Sequence, residues 1–172
     1  DTLSAVLAGN LGLSIPSDAG AFRLKGVVTG EIESSIDVFQ GFPVDGCSFS
    51  VGFDDRAVAI ESFEGLAAGG AFNITGRVKG WKRWNGKLSV HTRDMKTTAL
   101  LPAILKAAKN GSGIGMSPFL QDADIGLSWL LERTTWNRML LERVEAESRL
   151  KEGILNLDSY RVTWDHGSID GY

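Results

Sequence analysis

The feature that most constrains this chain is a period of two. From Ala21 onward, Phe22, Leu24, Gly26, Val28, Gly30 and Ile32 fall on one set of alternate positions, with Arg23, Lys25 and Thr29 on the other. Cys47, Phe49, Val51 and Phe53 alternate with Ser48, Ser50 and Gly52. Val58 and Ile60 open another such run, which reaches Phe63, and Phe72, Ile74, Gly76 and Val78 form the next. The pattern resumes at Ile125, where Leu127, Trp129 and Leu131 alternate with Gly126, Ser128 and Leu130. Alternate residues of a strand point to opposite faces, so a chain written this way makes sheet with one apolar face.

Turn chemistry punctuates the runs. Pro43-Val44-Asp45-Gly46 and Asp54-Asp55-Arg56 read as turns. Asn85-Gly86, with Trp84 before it and Leu88 and Val90 after it, predicts a hairpin closed by a type I′ turn. Two stretches depart from the period. Residues 2–13 carry Leu3, Val6, Leu7 and Leu11 at helical spacing, which predicts a short amphipathic helix ended near Gly12. Residues 97–109 predict a second, with Leu100, Leu101, Ile104 and Leu105 as its stripe and Asn110-Gly111 as its stop. Gly111, Gly113 and Gly115 follow in a loop that reads as a linker. A phosphate cradle wants a strand before it, and here a helix precedes. Residues 139–150 fit a charged helix face as well as a strand. The turn at Lys151-Glu152-Gly153 and the run from Ile154 to Tyr160 favour strand.

Composition removes several kinds of chemistry. One cysteine in 172 residues excludes an internal disulfide and a multi-cysteine zinc site, and two distant histidines exclude a zincin motif. Eighteen basic against 21 acidic residues leave a net charge of −3, so nothing general attracts nucleic acid. No stretch approaches the roughly 20 apolar residues of a membrane helix. Asp1 opens the chain without the basic start of a signal peptide, and a first residue that is not methionine predicts a processed chain or an excised piece.

The two halves echo each other at an offset of 97. Val44 falls on Leu141, Cys47 on Val144, Phe53 on Leu150, Val58 on Leu155, Ile60 on Leu157, Phe72 on Ile169 and Gly70 on Gly167. The predicted organisation is a single domain. Repeat one spans about 22–94, a helix and Gly-rich linker 97–121, and repeat two about 122–172. Repeated β units set side by side can extend one sheet.

The unit GFPVDGCSFSVGFDDRAVAIESFEGLAAGGAFNITGRVKG resembles the repeat of AsmA-like envelope proteins, a superfamily that includes TamB-like proteins. Gly41-Phe42-Pro43 opens it. The alternating strand Cys47 to Phe53, the charged turn Asp54-Asp55-Arg56, the strand Val58 to Phe63, Gly69-Gly70 and the strand Phe72 to Gly76 follow in the family's order. LSVHTRDMKTTALLPAILKA is similar to the family's strand and the helix tucked after it. NRMLLERVEAESRLKEGILNLDSYRVTWDHGSIDGY repeats the unit more loosely. The family's membrane anchor has no counterpart here, and the second unit breaks off at Tyr172.

The resemblance implies a mainly β fold with short helices. Its repeated antiparallel meander is expected to curl into a groove, shaped like a taco and apolar inside. It implies a periplasmic segment of a larger parent chain anchored in the inner membrane, serving phospholipid transport between membranes or outer-membrane homeostasis. No cofactor is implied, and the partners are phospholipid acyl chains and the rest of the parent chain. The groove lining would be Phe49, Val51, Phe53, Val58, Ile60, Phe72, Ile74, Val78, Leu88, Val90, Leu155 and Leu157. A structural or protein-interaction β module without lipid is the alternative.

Other residues carry weaker signals. Trp81, Arg83 and Trp84, set among Lys79, Lys82 and Lys87, suit a membrane interface or an ordinary charged strand end. Asp158, His166 and Ser168 lack any nucleophile-elbow context, so an enzyme is not expected. Asp122 and Asp124 lack the Gly and Glu that a calcium loop requires.

Overall fold

A computed structural model describes residues 5–14, 23–37, 43–54, 57–80, 83–96, 122–136, 138–152 and 154–172. Ten strands follow in chain order: β1 (Ala5–Ser14), β2 (Arg23–Asp37), β3 (Pro43–Asp54), β4 (Ala57–Ala67), β5 (Gly70–Lys79), β6 (Asn85–Arg93), β7 (Asp124–Trp136), β8 (Met139–Lys151), β9 (Ile154–Trp164) and β10 (Gly167–Gly171). They form one open sheet whose spatial order is the chain order. Every neighbouring pair is antiparallel except β6 and β7, which run parallel from Asn85↔Asp124 to Arg93↔Glu132. A parallel pair cannot be closed by a tight turn and needs a long crossover. The chain between β6 and β7 supplies it, and the predicted helix 97–109 and the Gly-rich loop within it lie outside the described residues.

Three local expectations are corrected. Where a helix is predicted over 2–13, the described residues, from Ala5 on, are strand β1, paired with β2 from Ala5↔Ile32 to Ser14↔Arg23. Leu7, Gly9, Leu11 and Leu13 also satisfy a period of two, and in so short an apolar run periodicity alone cannot choose. A ladder of backbone bonds to β2 then decides. No helix occurs among the described residues. Pro43 to Gly46 is no turn but the opening of β3, with a bulge where the register jumps between Asp45 and Cys47 and Gly46 takes a φ of +72°.

Asn85-Gly86 is also not the turn. The hairpin exists, but its strands pair as far as Lys79↔Asn85, so Asn85-Gly86 lies within β6. Gly86 serves another purpose: a Cβ there would run into the carbonyl oxygen of Arg77 on β5. Between β4 and β5, Ala68-Gly69 is a two-residue turn with positive φ at both positions.

The register carries the sequence echo into the backbone. β3 pairs with β4 through a shift between Ser50↔Ser62 and Val51↔Ile60, which leaves Glu61 unpaired. β8 pairs with β9 through a shift between Glu147↔Ser159 and Ser148↔Leu157, which leaves Asp158 unpaired. The two bulges stand at the same offset of 97 residues as the side chains. Residues 139–151 are strand, as their neighbours predict.

Candidate apolar face

Following one register across the sheet shows how its faces are built. Gly30, Phe49, Phe63, Ile74, Val90, Trp129, Ala146, Tyr160 and Gly171 are successive partners from β2 to β10. Two positions along lie Val28, Val51, Ile60, Gly76, Leu88, Leu127, Ser148 and Leu157. Next comes the row of Gly26, Phe53, Val58, Val78, Gly86, Ile125, Leu150 and Leu155. On the other side of the first row lie Ile32, Cys47, Gly65, Phe72, Thr92, Leu131, Val144, Val162 and Ile169. Paired residues share a face. All twelve predicted lining residues therefore stand on one face, in four adjacent rows.

The parallel junction keeps this face continuous. Val90 meets Trp129 and Leu88 meets Leu127 directly across β6 and β7. Sequence reading recognised the alternation of Leu127, Trp129 and Leu131, but nothing in it says that β7 lies beside β6. Only the crossover's geometry sets that pairing.

Cover is uneven. One cluster gathers Val44, Cys47, Ala67, Phe72 and Met95, with Phe63 meeting Phe72 edge to face at 5.4 Å between ring centroids. A second gathers Val78, Ala123, Ile125 and Leu150, with Trp84, Leu88 and Leu127 against it. Phe72 and Val78 are thus buried core, whereas Phe49, Val51, Phe53, Val58, Ile60, Ile74, Leu88 and Val90 are half-buried and Leu155 and Leu157 are exposed. Trp84 packs into the second cluster while its carbonyl accepts a hydrogen bond from the Asp124 amide, and Arg83 is exposed; Trp81 lies outside the described residues. Of that trio, Trp84 is committed to the interior of the face.

The opposite face is polar and internally paired. Ser50 donates to Glu61 at 2.8 Å, Ser128 donates to Glu147 at 2.8 Å, and Ser48 and Asn73 donate to Glu64 at 3.4 Å. The β6–β7 seam carries its own straps: Glu132 lies 2.8 Å from His91 Nε2 and 3.4 Å from Arg93, and Arg133 reaches Asp94 at 3.0 Å. Arg149 grips Asp124 with two bonds of 2.6 and 2.8 Å, which occupies the carboxylate that sequence reading weighed for calcium. Two cavities, of about 640 and 590 Å³, take most of their lining side chains from this face, including Glu31, Ser48, Asn73 and Arg93 in one and Ser128, Glu147, Ser159 and Arg161 in the other.

The electrostatics is that of ion pairing. The His91 hydrogen bond, then Arg93, holds the Glu132 carboxyl below its usual range; the Arg149 hydrogen bond does the same to Asp124. A general acid at neutral pH needs the opposite shift. Burial pushes the Cys47 thiol up, away from the reactive thiolate. His166 and Ser168 are exposed, and Asp158 lies near enough to Arg149 to stabilise its charge.

No protein-family model matches this chain, and no curated protein and no solved structure matches it.

Proposed function

We propose that this chain is a lipid-groove segment of a periplasmic, AsmA-like protein, and that the apolar face holds phospholipid acyl chains in transit between membranes. The observation that supports the reading is the continuity of that face. Four apolar rows pass from strand to strand, through the parallel seam, out to Leu155 and Leu157. Each acyl CH₂ laid against such a surface gains about 0.8 kcal/mol without any specific polar contact. An exposed apolar face of this extent marks a ligand or partner surface. The paired polar face keeps the other side wet. Curling of the sheet around the chain is part of the proposal.

The test is phospholipid carried through purification, read by native mass spectrometry and solvent extraction. Leu157→Asp and Val90→Asp place a carboxylate in the path of the chain. Leu157 is exposed, so its variant keeps the fold. Retained lipid in the parent protein and its loss in a folded Leu157→Asp variant support the groove. A folded protein that carries no lipid, or one whose lipid is indifferent to both variants, overturns it. The second reading is a structural or protein-interaction β module without a lipid ligand.

A further inference from the structure

We infer that Trp129 is the side chain over which an acyl chain passes from the first repeat to the second, and that Ser148 is its positioning residue. The inference rests on the lipid-groove reading above. Trp129 stands on β7, the first strand of the second repeat, and meets Val90 of β6 directly across the parallel junction. Its other neighbour in that row is Ala146 on β8. The row therefore changes character at the junction. Phe49, Phe63, Ile74 and Val90 follow one another on the first side, and on the second a large indole stands beside a small residue.

The indole is held in place. Trp129 Nε1 donates a hydrogen bond of 2.8 Å to Ser148 Oγ. Ser148 lies on β8, two residues along from Ala146 and on the same face, where it pairs with Leu127. The ring therefore reaches across β8 rather than standing over its own strand. Ser148 is buried, at 4% exposure, while Trp129 is half-buried. The next residue in the Ser148 row is Leu157, so the hydroxyl stands between two leucines.

The first repeat shows what that hydroxyl is for. The corresponding pair there is Gly30 and Phe49, and Val51 stands 97 residues before Ser148. A phenyl ring has no polar atom, and valine suits it. An indole carries one N–H, which is costly to bury without an acceptor. Serine in place of valine supplies the acceptor. This arrangement also selects the occupant. With its N–H engaged by the sheet, the ring presents only carbon to whatever lies above it. A sugar or another ligand recognised by hydrogen bonds gains nothing there, whereas an acyl chain needs only apolar contact.

The probe is a phosphatidylcholine with a diazirine on one acyl chain, loaded into the 172-residue chain, photolysed and mapped by peptide mass spectrometry. This arm needs no variant. Adducts are expected on Trp129 and on Val90 beside it. In a Ser148→Ala variant with an unchanged urea midpoint, the ratio of Trp129 to Val90 adducts should fall about fivefold, and Ser148→Thr, which keeps the hydroxyl, should hold the original ratio. Captured lipid without adducts on Trp129 overturns the inference and leaves the lipid reading standing. A ratio indifferent to Ser148→Ala, or a folded Ser148→Thr that behaves like Ser148→Ala, overturns the positioning role. A protein that captures no lipid overturns both the inference and the reading beneath it.

Discussion

β4 with β5 and β9 with β10 are two versions of one hairpin. Each is entered through a bulge after its preceding strand, at Val51↔Ile60 and at Ser148↔Leu157. Each turns in two residues, between Ala67 and Gly70 and between Trp164 and Gly167. Their apolar positions correspond, yet Phe72 is core while Ile169, Leu155 and Leu157 are exposed. The first hairpin is flanked by β6 and by Met95 beyond it, and the second has no further strand beside it among the described residues. Backbone form is therefore local and repeated, while burial is a property of the neighbour. A side chain of the same type in the same register contributes several kcal/mol or almost nothing depending on what lies beside it.

The strongest way to break this comparison is to delete equivalent side chains. Phe72→Ala removes a buried ring from contact with Phe63 and should cost about 3–5 kcal/mol in urea unfolding. Ile169→Ala should cost less than about 1 kcal/mol. Equal losses would mean that the second hairpin has cover of its own.

A smaller effect separates the equivalent glycines. A Cβ on Gly70 would collide with the backbone of Arg93 and stand 2.6 Å from the Met95 nitrogen. On Gly167 it would meet the Trp164 ring at 3.2 Å, and that ring can shift. Gly70→Ala should then cost about 1–3 kcal/mol, with Gly167→Ala well below it. The two unfolding midpoints measure the difference.

Between the regions, Thr134 is 1% exposed and its hydroxyl, like that of Thr92, finds no hydrogen-bond partner. Thr134→Val removes that desolvated group at nearly constant volume and should raise stability by about 1 kcal/mol. A lower melting temperature would show that the hydroxyl is satisfied after all.

The smallest effect is acid sensitivity along β7, where Glu132 is strapped to β6 and Asp124 to β8. Glu132 and Asp124 titrate below their unfolded range because His91 and Arg149 hold them ionised. A depressed carboxylate stabilises the fold above its unfolded pKa, near 4, and the gain disappears as pH falls through the lowered value. Glu132→Gln and Asp124→Asn should each lower stability slightly at pH 7, leave it unchanged at pH below the lowered values, and so flatten the acid limb of the stability curve. Both carboxylates are accessible to solvent, so salt should shrink the effect. An acid limb unchanged in Glu132→Gln would remove that strap from the β6–β7 seam, and one unchanged in Asp124→Asn would remove the Arg149 pair from the β7–β8 junction.

Much of the fold was legible in the residues. The alternation named most of the strands, and for residues 139–150, where periodicity fitted helix and strand alike, the turn after them and the run from Ile154 pointed to strand. Alternation failed where two periods fit one short run, as in residues 5–14, and where turn residues were used for other ends. Gly46 makes a bulge and Gly86 a close approach of two backbones, and neither purpose is visible before the partner strand is known. The polar face was legible only as polarity. Its pairing of serines, carboxylates and cations depends on register across strands far apart in the chain.

By itself the sequence determined that this protein is sheet, that its strands are two-sided, and that one unit recurs at an interval of 97 residues. Those properties follow from the alternation of side chains along a single strand, which needs no neighbour to be defined. Tertiary structure alone decided that β7 lies parallel to β6, that Phe72 and Val78 are core, and that Leu155, Leu157 and Ile169 are open. Burial belongs to pairs of elements, and the pairing of strands separated by a long crossover is written in no local period.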